Sequence, residues 1–471
     1  MNGYTVVVDI GKTNAKVSMW NPHGGLLARR SRANTPQQAE RYLALDVQSI
    51  EQWLLESLSV FARLGPIAHI VPVGHGAAAV LLRNNRLFAA PMDYEEEASA
   101  SDRAEYIAQR DPFTMTGSPA LPRGLNLGMQ LHRFEKISTT LPNDVTIVPW
   151  PQYWAWRLCG VAASEVSSLG CHTDLWQPMT SSFSPLARRR QWAARCAPLR
   201  AAGDSLGTIT PQIAEQTGLP LTCKVLCGMH DSNAALLAAR GHAEMANHDA
   251  TVLSTGTWFV AMRSLASDVI IDPGMLDDSR DCLINVDVFG RPVPSARFMG
   301  GREAELIGGV DSFDLTTNYN PEALLARLPA LIASGASAFP SFVAGVGPFP
   351  TSRGEWRNRP ANRDDQRAIT GLYLALMADT ALDLIDSSDR LLIEGRFSEA
   401  VIFVRALASL RPTQRVFISN PDQDVAYGAL RLVAPQLPPP IQLTEVKPLA
   451  LDLTTYAAEW RSQAHNAQSA A

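Results

Sequence analysis

Cysteine is scarce and unpatterned: six thiols are spread over 471 residues, and none forms a CxxC pair. That spacing indicates neither a disulfide framework nor a zinc knuckle, and leads us to expect reduced thiols. Long apolar runs are missing too. Arg, Asp or Pro interrupts every stretch before it reaches the roughly 18 to 20 residues that cross a bilayer, so no membrane partner is expected. The first residues carry no basic leader and meet Asp9 before a signal core could form, which points to the cytoplasm. Charge of one sign is absent as well: 41 basic against 46 acidic side chains leave a formal net charge of −5. Such a chain has no overall field to hold a polyanion, and no nucleic acid partner is expected. The one dense basic run, Arg188, Arg189 and Arg190 beside Trp192, reads as a solvated helix face.

What is present is a globular composition, 46% hydrophobic and 18% charged, long enough for two or three domains of about 150 residues each. Thr5, Val6, Val7 and Val8 form a short β-branched run ending at Asp9; Gly11 permits a tight turn, and residues 15–20 alternate as a returning strand. The same design recurs at residues 250–262, with the turn Thr255, Gly256 and Thr257. Two such hairpins half a chain apart predict an internal repeat and two related α/β domains. Helical patterns cover residues 49–64, 152–158, 321–332 and 365–387, and apolar strands cover 67–73, 146–148 and 390–394. The boundary falls near residues 241–247, giving domains over 1–243 and 244–440 and a Pro-, Ala- and Gln-rich tail over 441–471.

A phosphate site needs backbone N–H groups free to point at oxygens, which glycine turns supply, and a carboxylate for the accompanying metal. The first turn offers Asp9, Gly11, Thr13, Asn14 and Lys16; the second offers Thr255, Gly256 and Thr257. Each alone reads equally as a plain hairpin. Two of them, facing one another across a cleft, would clamp a nucleotide. No GxxxxGK[ST] run exists, which excludes a P-loop. A third element follows the apolar pair Val225 and Leu226: Gly228, Met229, His230 and Asp231. Asp231 is either the N-cap of the next helix or a general base at the end of a strand, and local sequence leaves both open.

In their order and spacing, residues 9–16, 228–231 and 254–257 resemble the FGGY family of carbohydrate kinases, over nearly the whole chain. The resemblance implies an α/β fold of two actin-like, ribonuclease-H-like domains with an interdomain cleft. It implies ATP and Mg²⁺, with Asp231 as catalytic base and Asp9 near the metal. Gly11, Thr13, Asn14 and Lys16 would form the first phosphate turn, and Thr255, Gly256 and Thr257 the second. Gly395 would belong to the adenosine segment, and His75 and Asp93 to the sugar pocket. The chain also departs from the family. Lys12 replaces a small or hydroxyl residue and would contact phosphate or point to solvent. The glycine-rich adenosine segment shrinks to residues 394–398, with a later partner at 424–430, and the two long signatures match only loosely at 124–134 and 369–385.

For the sugar, Gly74 and Gly76 flank His75 and give it access to a ligand, although a histidine after a strand is as often structural. Asp93 could accept sugar hydroxyls with Tyr94 as a wall, or the acidic loop could face solvent; Asn126 could lie nearby. Cys171 and His172, adjacent on an expected strand, would point to opposite faces and make no nucleophile pair. Cys223, Cys227 and His230 lack a fourth metal ligand. Trp150, Trp154 and Trp156 read as helix packing or a sugar platform. The expectation is an ATP- and magnesium-dependent kinase of a small sugar, a ketose or deoxyketose of the rhamnulose, fuculose or xylulose type. The alternative is a non-catalytic sugar or nucleotide sensor on the same fold. A homodimer is compatible with either.

Overall fold

The computed structural model describes residues 3–138, 141–266, 270–308, 320–419, 425–439 and 441–469. The chain divides into two units: Met1–Gly241 with Ile284–Pro292 and Asp424–Pro440, and His242–Leu283 with Val293–Gln423 and Ile441–Ala471. Asp424, the first residue of the expected 424–430 segment, lies outside the described residues.

The first unit is organised on β1 (Tyr4–Ile10), β2 (Asn14–Trp20), β3 (Leu26–Ala33), β4 (Ile67–Gly74), β5 (Ser205–Thr208), β6 (Lys224–Leu226) and β7 (Met229–His230). Their order is β3-β2-β1-β4-β6-β5, with β7 also paired to β4. β1 is antiparallel to β2 and parallel to β4, which is why Val6, Val7 and Val8, covered on both faces, are fully buried. The expected helix at 49–64 spans Val47–Ala62. Asp46 caps it by accepting from Ser49 N, and Ile50, Leu54, Leu58 and Phe61 turn one apolar face to the core that β1 also enters. The helix Trp150–Cys159 starts two residues before the expected 152, because Pro151 fits its first turn. Gly160, at φ 77°, ends it.

The second unit repeats the design. β8 (Ala250–Thr255), β9 (Phe259–Ser264), β10 (Pro292–Phe298), β11 (Arg390–Gly395), β12 (Arg415–Ile418) and β13 (Thr444–Glu445) follow the path β10-β9-β8-β11-β12-β13. Over these six strands the two paths agree, with an antiparallel hairpin and a third antiparallel strand, two parallel partners, then an antiparallel edge; the second sheet carries one more strand, Cys282–Val286, beside β10. This is the duplicated ribonuclease-H-like sheet that the two hairpins predict. The helix Arg363–Asp383, capped by Asn362, is buried along nearly its whole length. It packs closely on the helix Val401–Leu410, since a Cβ on Gly371 would lie 2.9 Å from Ile402. Within the last 31 residues, β13 pairs with the sheet edge and the helix Thr454–Ser469 buries Trp460, whose Nε1 donates to Ala338 O at 2.7 Å.

Candidate active site

In the first unit, three parallel strands end at one level. Ile10 of β1 and His230 of β7 are both in register with Gly74 of β4. Their carboxyl ends therefore deliver Asp9, His75 and Asp231 to one edge of the sheet, the place where open α/β sheets bind ligands. Gly228 makes the turn into β7: its φ is +79°, and a Cβ there would stand 2.1 Å from Pro72 O. Gln152 Nε2 donates to Gly228 O at 3.1 Å and braces the same turn.

Asp231 is the first residue of the helix Asp231–Ala239, and His230 holds the N-cap position that sequence had offered to Asp231. Its Oδ1 accepts from Ser232 N at 2.6 Å and lies 3.3 Å from His230 Nε2, while its side chain keeps 32% exposure. It is thus anchored and still reachable. His230 is buried, and burial pushes its imidazole pKa down, so the ring is held neutral. The same Nε2 lies 3.3 Å from Cys171 Sγ. Cys171 and His172 sit in a bend rather than on a strand. The expected separation by opposite faces does not apply, and the thiol meets a distant histidine instead of its neighbour. The backbone N–H of His230 donates to Ser167 Oγ at 3.2 Å. Ser167 is held in turn by the fully buried Glu165, which caps the Val166–Leu169 turn.

His75 Nδ1 stands 2.6 Å from Gly76 O. A carbonyl only accepts, so Nδ1 carries the hydrogen and Nε2 presents a lone pair. That Nε2 is buried and has no hydrogen-bond partner among the described residues. Burial also lowers the His75 pKa, which keeps the lone pair available. The ring is edge-on to Tyr94 at 5.7 Å and tilted against Trp150 at 5.6 Å. Gly76 is needed here: a Cβ would come within 3.0 Å of both Cys171 Sγ and His230 Nε2.

Asp93 is fully buried, so the acidic loop is not solvent-facing at that position. Its Oδ2 accepts from Lys12 Nζ at 2.6 Å and its Oδ1 from Glu95 N at 2.8 Å. Lys12 is therefore turned to this carboxylate and does not point to solvent. Asn126 is consumed internally, by Ser118, Pro119, His172 and Leu121. Trp150 and Trp154 are packed in the core, and Trp150 Nε1 donates to Ile10 O at 2.9 Å. Cys223, Cys227 and His230 do not assemble; among the described residues no group of three or more His, Cys, Asp or Glu could hold a metal.

The first hairpin turn closes with Gly11 N donating to Asn14 O at 3.0 Å, leaving Thr13, Asn14 and Lys16 exposed. Asp9 lies in register with Lys16. In the second unit, Gly256 N donates to Trp258 O at 3.0 Å and Thr257 is exposed. Thr255 is buried; its hydroxyl donates to Glu394 O at 2.6 Å and accepts from Phe397 N at 3.0 Å. Gly395, at φ +82°, allows this closeness, since a Cβ would lie 2.3 Å from Thr255 O.

Solved structures share the fold. A carbohydrate kinase from Novosphingobium aromaticivorans is 50% identical, with 98% of this chain and all of that one aligned at a TM-score of 0.93. Xylulose kinase from Rhodospirillum rubrum, at 16% identity, aligns over 98% of each chain at 0.80, and gluconate kinase from Lactobacillus acidophilus, at 13%, over 99% and 98% at 0.78. Residues 247–440 match the domain described as carbohydrate kinase FGGY, C-terminal domain. A comparison with curated proteins gave no significant match. The chain belongs to the FGGY family of carbohydrate kinases, with the two-domain actin-like ATPase fold, and is a phosphotransferase acting on a sugar. Among the described residues no helix is long and apolar enough to cross a membrane.

Proposed function

We propose that the protein transfers the γ-phosphoryl group of ATP to a hydroxyl of a small ketose or deoxyketose of the rhamnulose, fuculose or xylulose type, with Asp231 as general base. The sugar binds on residues 1–243 and the nucleotide on residues 244–440, with the tail 441–471 outside this division. The observation that carries this reading is the pairing, at one sheet edge, of an anchored but reachable carboxylate at Asp231 with the unpartnered buried lone pair of His75. A sugar hydroxyl bound there donates to His75 Nε2, and another gives its proton to Asp231 as its oxygen attacks the γ-phosphorus. The new O–P bond forms as the bond to the β-phosphate oxygen breaks, and ADP leaves with that electron pair.

The two turns hold phosphate. Gly11 and Gly256, whose N–H groups close the turns, keep them tight and free of side chains so that phosphate can approach. The exposed Thr13, Asn14 and Lys16 in the first turn and Thr257 in the second supply the contacts, while the spent hydroxyl of Thr255 fixes the second turn against Gly395. Asp9, delivered to the same sheet edge as Asp231, would hold Mg²⁺ as a single carboxylate ligand, and the ion would supply charge neutralisation to the transferring phosphate. An ADP-release assay with ATP and Mg²⁺ over a panel of ketoses, aldoses and polyols tests the reading. One or more ketoses should turn over well above the aldoses and polyols; a panel in which only aldoses or polyols react overturns the ketose assignment.

A further inference from the structure

Lys12 occupies the tip of the first phosphate turn, yet its ammonium is directed at the sugar-side loop. Nζ lies 2.6 Å from Asp93 Oδ2, 3.3 Å from Glu95 Oε2 and 5.3 Å from the centre of the Tyr94 ring. The side-chain exposures are 11% for Lys12, 0% for Asp93 and 50% for Glu95. The two ion pairs therefore differ in consequence. The half-exposed Glu95 contact is screened by water and holds little. The Asp93 contact is desolvated, so removing the ammonium leaves a buried carboxylate without its counter-charge. Asp93 also holds its own loop, through Oδ1 to Glu95 N and its backbone N–H to Leu43 O at 2.9 Å. Between those anchors stands Tyr94, with the Lys12 charge over its ring and the His75 imidazole at its edge.

A continuous set of contacts thus runs from the phosphate turn, through Lys12, to Asp93 and Tyr94 and on to His75. We propose that Lys12 is a positioning residue that ties the first phosphate turn to the wall of the sugar pocket and so sets sugar affinity. This rests on the reading above, in which His75 contacts the sugar. Lys12 touches neither reacting atom; it acts through the loop it holds.

The test compares Lys12→Met, Lys12→Arg, Asp93→Asn and the double variant Lys12→Met/Asp93→Asn with the wild-type full-length chain, using the best sugar of the panel. Lys12→Met should raise the sugar KM by about tenfold, the equivalent of one lost hydrogen bond, with the ATP KM within about twofold. Lys12→Arg should restore most of the loss, because it keeps a cation beside Asp93. The double variant should be no worse than Lys12→Met alone, since neutralising Asp93 removes the unpaired buried charge. Thermal unfolding of all four separates a local effect from general destabilisation, and the double variant keeps the test valid if Lys12→Met is unstable. An unchanged sugar KM in Lys12→Met, a rise in ATP KM alone, or losses in the two single variants that simply multiply in the double would each overturn the proposal. If His75→Ala raises the sugar KM and Lys12→Met does not, the proposal fails while the reading stands; if neither does, the pocket assignment itself fails.

Discussion

Nε2 of His230 stands 3.3 Å from Oδ1 of Asp231, the next residue in the chain. Burial holds the imidazole neutral, so an uncharged ring stands against one carboxylate oxygen and leaves the other to a substrate. Replacing His230 by Ala should lower kcat by about tenfold with little change in either KM, because the ring no longer limits the orientation of the adjacent carboxylate. Steady-state kinetics on the folded variant check this; an unchanged kcat would remove His230 from the orientation of Asp231.

Two glycines at the second turn, Gly256 within the hairpin and Gly395 at the end of the neighbouring β11, are glycine for opposite reasons. A Cβ on Gly256 would find its nearest neighbour 3.8 Å away, whereas one on Gly395 would lie 2.3 Å from Thr255 O at a φ of +82°. Gly256→Val should therefore leave the melting temperature nearly unchanged while raising the ATP KM, because only an incoming phosphate meets the new side chain. Gly395→Ala should destabilise by about 1–3 kcal/mol through strain at that backbone. Calorimetry and ATP titrations on both variants decide it, and a stable Gly395→Ala would contradict the close approach.

Glu165 gives a pH signature. Burial pushes its pKa up to about 7 from 4.5, against the opposing hydrogen bonds of Ser167 and Ser168. The folded state then keeps a proton that the unfolded state releases, so stability falls as pH rises from about 4.5 through about 7, by about 3 kcal/mol in all. Glu165→Gln should lose this component. Urea unfolding at pH 5 and pH 8 should show a larger drop for wild type than for the variant; Glu303, Glu394 and Asp379, also raised by burial, are common to both and cancel. Parallel pH profiles would contradict the assignment.

His75 should govern discrimination among sugars. A site built around a buried acceptor penalises an epimer whose hydroxyl does not reach it. His75→Ala should raise the KM of the preferred sugar by about tenfold and flatten the preference among epimers. Profiles that merely scale down in parallel would exclude His75 as a reader of stereochemistry.

The two hairpins were legible in the sequence because each packs β-branched residues beside a glycine turn, and local rules govern such segments. Their repetition announced the duplicated sheet. Strand order was not legible, since β4 reaches β1 only through pairing across some sixty residues of chain. The same limit hid the contacts around the site. Lys12 meets Asp93 from 81 positions away, and Cys171 meets His230 from 59, while the neighbour that sequence offered it, His172, bonds elsewhere. The Ala- and Gln-rich tail likewise concealed an anchor in Trp460, because composition averages over the one side chain that packs.

The central claim is that Asp231 takes the proton of the sugar hydroxyl. Asp231→Asn preserves shape and removes the base, so it should bind the preferred sugar with near wild-type affinity in calorimetry while ADP release falls by about 10²-fold or more. Near-normal turnover in the folded, sugar-binding variant would contradict the account.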